Sequence, residues 1–278
     1  MSTNFEFRLA LGVVALLALL AIFPEWIARY DPWATSGPVL GSPTAAHPFG
    51  SDALGRDTWT RMVYGARTSL LVGMLATGVA LLIGGSVGLA AGTFGGWIDE
   101  GLMRLTEFLD AIPGLLLALL VVAVWGPGVV QISLAIGIGG WSSLARVLRV
   151  GLLSTREEDF VLAARSLGTS STRIAFRHLL PHAFPPVLAL VPFRIEAAII
   201  AEASLSFLGL GDLAYPSWGG MLRDAQPFLR DAWWLAVGPG LLLLLTVFGL
   251  SLLADYLQRR AGPRSREDVA RPSETVIM

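Results

Sequence analysis

The chain has 278 residues, of which 54% are hydrophobic and 15% charged, with a mean hydropathy of +0.65. That excludes an ordinary soluble domain, where about a quarter of residues are charged, and a disordered chain, which needs low hydrophobicity. The net charge of −1 gives no drive toward nucleic acid; cysteine is absent, which removes disulfides and thiolate chemistry; and all 20 basic residues are Arg, which removes a Schiff-base or P-loop lysine. Any ATP that powers this protein must be bound by another subunit.

A helix needs about 20 apolar residues to cross roughly 30 Å of hydrocarbon. Six stretches reach or approach that length: Leu9–Phe23, Ser69–Phe94, Ile112–Trp125, Val129–Leu148, Phe184–Leu205 and Trp233–Tyr256. Pro24-Glu25-Trp26 follows the first, with no small-residue cleavage site, so the first is read as an uncleaved anchor. Gly126-Pro127-Gly128 predicts a tight hairpin between the third and fourth. Arginines concentrate on one set of connections (Arg8, Arg104, Arg146, Arg149, Arg156, Arg165, Arg173, Arg177 and the tail), which the positive-inside rule places in the cytoplasm with both termini. The expected fold class is therefore all-α: a polytopic membrane protein with six transmembrane helices. Outer segments run over 26–68 and 206–232, and a polar, partly disordered tail starts at Leu257.

Within the spans, Gly84, Gly88 and Gly92, continued by Gly96, form a four-residue repeat suited to close helix packing, either inside this subunit or at a subunit interface. Asp110 is expected to pair with a loop arginine, and Asp255 with Arg259. Pro185, Pro186 and Pro192 predict a kink early in the fifth span. Charges inside spans are functional candidates. Arg194, Glu196 and Glu202 are such candidates for the pathway or gate, with Ser206 and Phe207 just after them; Glu202 is alternatively hydrated at the outer end. Trp26, Trp33, Trp59, Trp218, Trp233 and Trp234 read as interfacial anchors. Ser204–Gly211 with Pro216–Gly220 reads as an outer lid or a receptor contact.

The connection between the fourth and fifth spans carries the strongest signal. Thr155 and Glu158 form a T-x-x-E capping box, a helix follows through Ala163 and Ala164, and Gly168 ends it. A second short helix, Arg173–Leu180, is expected to stop at Pro181. Ala164 and Gly168 share a face of small residues, which suits docking of a partner's surface. His178 and His182 are four apart, but Leu179 stands where a zinc-protease helix needs Glu, so His178 is expected to hydrogen-bond within the loop.

Ala163-Ala164-Arg165-Ser166-Leu167-Gly168, with Ile174 and His178-Leu179-Leu180-Pro181 after it, resembles the EAA loop of ATP-binding-cassette importer permeases. Leu162 stands where that family has its leading Glu. HPFGSDALGRD (47–57), YGARTSL (64–70), GGWIDE (95–100), AIPG (111–114), ASLSFLGLG (203–211) and PSWGGML (216–222) resemble the dipeptide, oligopeptide and nickel branch, C-type subunit. The resemblance implies that Ala163, Ala164, Arg165, Leu167, Gly168, Ile174, His178, Leu180 and Pro181 couple the chain to an ATPase. It implies a homologous second permease as heterodimer partner, two ATP-binding subunits holding ATP and Mg, an extracytoplasmic solute-binding protein, and a prokaryotic inner-membrane location. It implies no catalytic residue, metal or cofactor in this chain, and an imported di- or oligopeptide, a nickel chelate or another small solute. The expected division is 1–67 anchor and outer segment, 68–257 permease core with the EAA loop at about 154–182, and 258–278 cytoplasmic tail. An intramembrane hydrolase is disfavoured, since the expected spans contain no His and Ser142 and Ser143 lack a nucleophile elbow. A stand-alone secondary transporter would be favoured by internal repeats, and none is evident between the halves.

Overall fold

A computed structural model describes residues 3–261. The last 17 positions of the expected tail, with Arg264, Arg266 and Arg271, lie outside the described residues. The described chain is almost wholly helical, with two isolated β-bridges in the loop before the third helix.

Helix α1 (Thr3–Ile22) is followed by the short α2 (Pro24–Ile27), where Pro24 opens a new first turn. Helix α3 spans Thr58–Phe94, 37 residues, or about 55 Å, which exceeds the hydrocarbon thickness. It starts at Thr58 rather than Ser69, inside the expected outer segment, and the expected division at 67/68 falls within it. Asp57 caps it, accepting from the Thr60 amide at 2.7 Å. The polar residues that made 58–68 read as loop are spent on tertiary partners. Arg61 is buried on Asp52, and Arg67 donates to the last carbonyls of α1 (Ala21 at 2.9 Å, Ile22 at 3.1 Å) and to both Glu25 oxygens.

Helices α4 (Gly96–Asp110) and α5 (Gly114–Trp125) meet at an 80° bend, where Pro113 removes an amide donor. Helices α6 (Val129–Gly140) and α7 (Ser142–Thr155) divide the expected fourth span at Trp141. By length and apolarity four helices can cross a membrane, or five if α4 and α5 form one bent span. The expected third and fourth spans are thus not single long helices. Asp110 pairs with Arg146 as expected, although that arginine is on α7 rather than in a loop, and Asp99 of α4 takes two donations from Arg149 of α7.

The glycine repeat lets α7 lie directly on α3. A Cβ at Gly88 would stand 2.6 Å from the Ala145 carbonyl oxygen, and one at Gly92 2.7 Å from the Leu152 Cβ; Gly84 faces the Trp141 carbonyl. Gly96 lies past the helix end with nothing near it.

Helices α8 (Asp159–Ser166) and α9 (Ser171–Ile174) lead through a wide π turn (Ala175–Leu179) into α10 (Leu180–Phe207). Pro181 therefore does not end a helix. It sits in the first turn of α10, where a missing amide costs little, and the Leu180 amide bonds back to the Ala175 carbonyl. Helix α10 runs on through Pro185, Pro186 and Pro192. Helix α11 (Trp218–Ala225) folds back over α10, and α12 (Trp234–Ala261) closes the bundle against α1 and α10. Trp218 is fully buried and donates to the Met62 carbonyl at 3.0 Å, so it is a core residue and not an interfacial anchor. Arg259 reaches Glu6 of α1 at 3.2 Å rather than Asp255, which is exposed.

Candidate functional site

Helix α8 starts at Asp159, with no side-chain cap at Glu158. The expected capping box does not form, because Thr155 belongs to the end of α7 and gives its hydroxyl to the Gly151 carbonyl at 2.7 Å. The stop at Gly168 does form: its φ is +77°, a conformation that favours glycine, and the Thr169 amide closes onto the Ala164 carbonyl at 3.1 Å.

Two faces of this hairpin differ. Val161, Ile174 and Leu179 are buried in one cluster with Leu148 and Leu152 of α7 and Ala183 of α10, and Ala164 packs against that cluster. On the other side Leu162, Ala163, Arg165, Leu167, Gly168, Arg173, Phe176 and Arg177 are exposed, Leu167 to 85%. Ala164 and Gly168 therefore do not form one outward face; Ala164 is turned half inward. Ile174 and Leu180 are anchors, and Pro181 is exposed at the base. The rings of His178 and His182 lie against Phe160, at 6.4 and 5.0 Å between centroids, and His182 Nδ1 is 2.8 Å from the His178 carbonyl oxygen. An exposed Leu167–Gly168 tip thus stands on a base packed against α7 and α10.

The intramembrane charges fall into three settings. Glu196 accepts from Ser251 of α12 at 2.7 Å. Glu202 is 2% exposed and accepts from Ser206 at 2.6 Å and from Ser69 of α3 at 3.1 Å, so it is enclosed by protein rather than hydrated at an outer end. Arg194 faces a separate small cavity. Ser206 is buried, and Phe207 is 40% exposed.

Two solved structures share the fold: the inward-facing MetNI methionine ABC transporter (TM-score 0.58, 17% identity, 73% of this chain and 97% of that one) and an amino acid ABC transporter with histidines (TM-score 0.55, 20% identity, 72% and 94%). Residues 84–267 match the family described as binding-protein-dependent transport system inner membrane component. The chain belongs to that family. The dipeptide transport system permease DppC of Alkalihalophilus pseudofirmus is 37% identical, over 91% of this chain and 84% of that protein. The glutathione transport system permease GsiD of Escherichia coli is 39% identical, over 90% and 84%, and a putative peptide transport system permease of Brucella suis 36%, over 93% and 88%. This protein is a permease subunit of an ATP-binding-cassette importer.

The permease also has a cleft of about 640 Å³ between the loop before α3 and the segment around α11, lined by Trp33, Asp52, Arg56, Arg61, Tyr215 and Asp224 among others. Arg61 joins Asp52 and Asp224, and Arg56 bonds Asp52 at 2.7 Å. Burial pushes the Asp52 carboxyl up, but the amides of Arg56 and Leu54 and the guanidinium groups of Arg61 and Arg56 outweigh it and hold the carboxyl below its ordinary value. From the sequence, Asp52, Arg56, Arg61 and Asp224 fall in the expected loop segments, with no pairing among them expected. The signal available was the regular spacing of Arg61, Tyr64, Thr68 and Leu71 on one helical stripe continuous with the second span.

Proposed function

We propose that this permease forms half of the translocation pathway of an ATP-driven importer of di- or oligopeptides and docks on its ATPase through α8. The docking reading rests on the exposed Leu167–Gly168 knob, whose base shares one buried cluster with α7 and α10. A push on α8 moves those helices as a body, since close-packed interiors transmit displacement. Ala163, Arg165, Leu167 and Gly168 touch the ATPase; Ala164, Ile174, Leu180 and the His178–Phe160 contact hold the hairpin rigid; Pro181 starts the driven helix. The peptide reading is supported by the names of the relatives. The remaining subunits are a homologous permease, two ATPases that bind ATP and Mg, and an extracytoplasmic receptor.

The topology proposed is six spans, with α4–α5 and α6–α7 each crossing as a broken pair and both termini in the cytoplasm, where the arginine-rich connections and α8 lie. Arg194, Ser206 and Phe207 border the pathway, while Glu196 and Glu202 brace α10 against α12 and α3.

The test is the complete transporter carrying Leu167→Asp or Gly168→Asp. Both variants insert in the membrane in wild-type amount, fail to co-purify the ATPases and lose ATP-driven uptake of a dipeptide. Gly168→Asn, which tolerates the left-handed backbone, retains part of the association. Wild-type recovery of the ATPases with Leu167→Asp would remove α8 as the docking element.

A further inference from the structure

We infer that Arg194 and the cavity beside it form a carboxylate-binding site at mid-membrane depth. The inference rests on the importer reading above only for where that carboxylate comes from.

Arg194 lies at the middle of α10, about 20 Å along the axis from either end. A guanidinium at that depth is tolerated when it is paired or faces a polar partner. Among the described residues it has no such partner. None of the ion pairs involves it, and its Nε is buried without a hydrogen-bond acceptor. Glu196, two positions on, is turned to Ser251 of α12. The neighbouring charges are thus committed elsewhere.

The space beside it is built for something to enter. A cavity of about 180 Å³ is bounded by Gly114 and Ala118 of α5, Gly139 and Gly140 of α6, and Ala197 and Ala201 of α10, and Arg194 is the single polar side chain on its wall. That is more than a single water needs. The guanidinium tip lies against α6, with Nη2 occupying the space a Cβ at Gly140 would fill. One cation, small apolar walls and a free donor edge define a site for one anionic group. The flat guanidinium fork matches a carboxylate, which it grips with two parallel bonds. Two sources can supply it: the terminal carboxylate of a peptide in transit, or an acidic side chain of the sister permease.

The experiment uses the complete transporter, as wild type, Arg194→Ala and Arg194→Lys. Thermal unfolding is followed with N-acetylalanine and with its carboxamide, and uptake of Ala-Ala is compared with that of Ala-Ala amide at saturating receptor. If cargo supplies the carboxylate, N-acetylalanine raises the melting temperature of wild type and the carboxamide does not. Arg194→Ala then abolishes that shift and lowers Ala-Ala uptake about tenfold, the scale of one charge-assisted bond, leaving the amide unchanged. If the sister permease supplies it, Arg194→Ala loses that subunit on purification and Arg194→Lys restores it. Intact assembly with no acid-specific melting shift in wild type, or a shift that survives in Arg194→Ala, overturns the inference. A wild-type transporter that shows the shift but imports no peptide would instead overturn the peptide reading and leave the site standing.

Discussion

Ser69 of α3 donates a 3.1 Å hydrogen bond to Glu202 of α10, joining residues 133 positions apart inside the bundle. Ser206 donates to the other carboxyl oxygen at 2.6 Å. A buried carboxyl with both oxygens engaged fixes how α10 sits on α3, because a loss on either side leaves a polar atom without water to replace it.

Glu202→Ala is expected to destabilise the purified permease by about 1–3 kcal/mol, since it strands two buried hydroxyls and opens a cavity. Glu202→Gln, which keeps one acceptor, costs less. Thermal unfolding in detergent ranks them; equal melting temperatures for the two variants would show that the hydrogen bonds carry no weight.

The seam between α3 and α7 tolerates no side chain. Gly88→Val is expected to force the helices apart at a cost of about 1–3 kcal/mol, because the new Cβ meets the Ala145 carbonyl at 2.6 Å. Gly85→Ala, three residues earlier with nothing within 4 Å, is the control and leaves the melting temperature unchanged or slightly raised. The pair separates close packing from a general effect of replacing glycine.

Asp52 gives the loop between α2 and α3 an acid limit. Its carboxyl is held below the ordinary value of 3.8, so its ionised form stabilises the folded loop. That contribution is fully present above the unfolded value and is lost as pH falls through the lower folded value. Proteolysis of the loop between α2 and α3 is therefore expected to stay slow at neutral pH and to accelerate below about pH 4. Asp52→Asn loses this acid limb and is cleaved faster at neutral pH, since Arg61 is left buried beside a neutral amide. A wild-type cleavage rate that does not change with acid would show that the clasp plays no part.

The base of α8 is expected to matter separately from its tip. Leu179→Ala, at a residue 1% exposed in the cluster beneath the hairpin, leaves the contact surface in place but loosens its attachment. ATPase co-purification persists while uptake per ATP hydrolysed falls. Loss of ATPase binding itself would mean that Leu179 shapes the docking surface.

Hydrophobic runs, glycine spacing and the turn at Gly168 were legible from the chain because each is a local matter: how many apolar residues follow one another, which positions recur every four, where a left-handed residue is needed. These determined an all-helical membrane protein, and the run of motifs determined its family. The start of α3 left only a weak periodic trace at Arg61, Tyr64, Thr68 and Leu71, because Arg61 and Arg67 look like loop residues until Asp52, Glu25 and the end of α1 are brought to them. The capping box failed for a related reason: Thr155 has two possible backbone partners, and packing of α7 chose the Gly151 carbonyl. The direction of Ala164, the burial of Trp218 and the isolation of Arg194 likewise depend on which helices meet. Local sequence sets the free energy of an element alone, whereas the partner of a buried polar group is chosen by the whole bundle, since only there is water excluded and an unpaired charge costly.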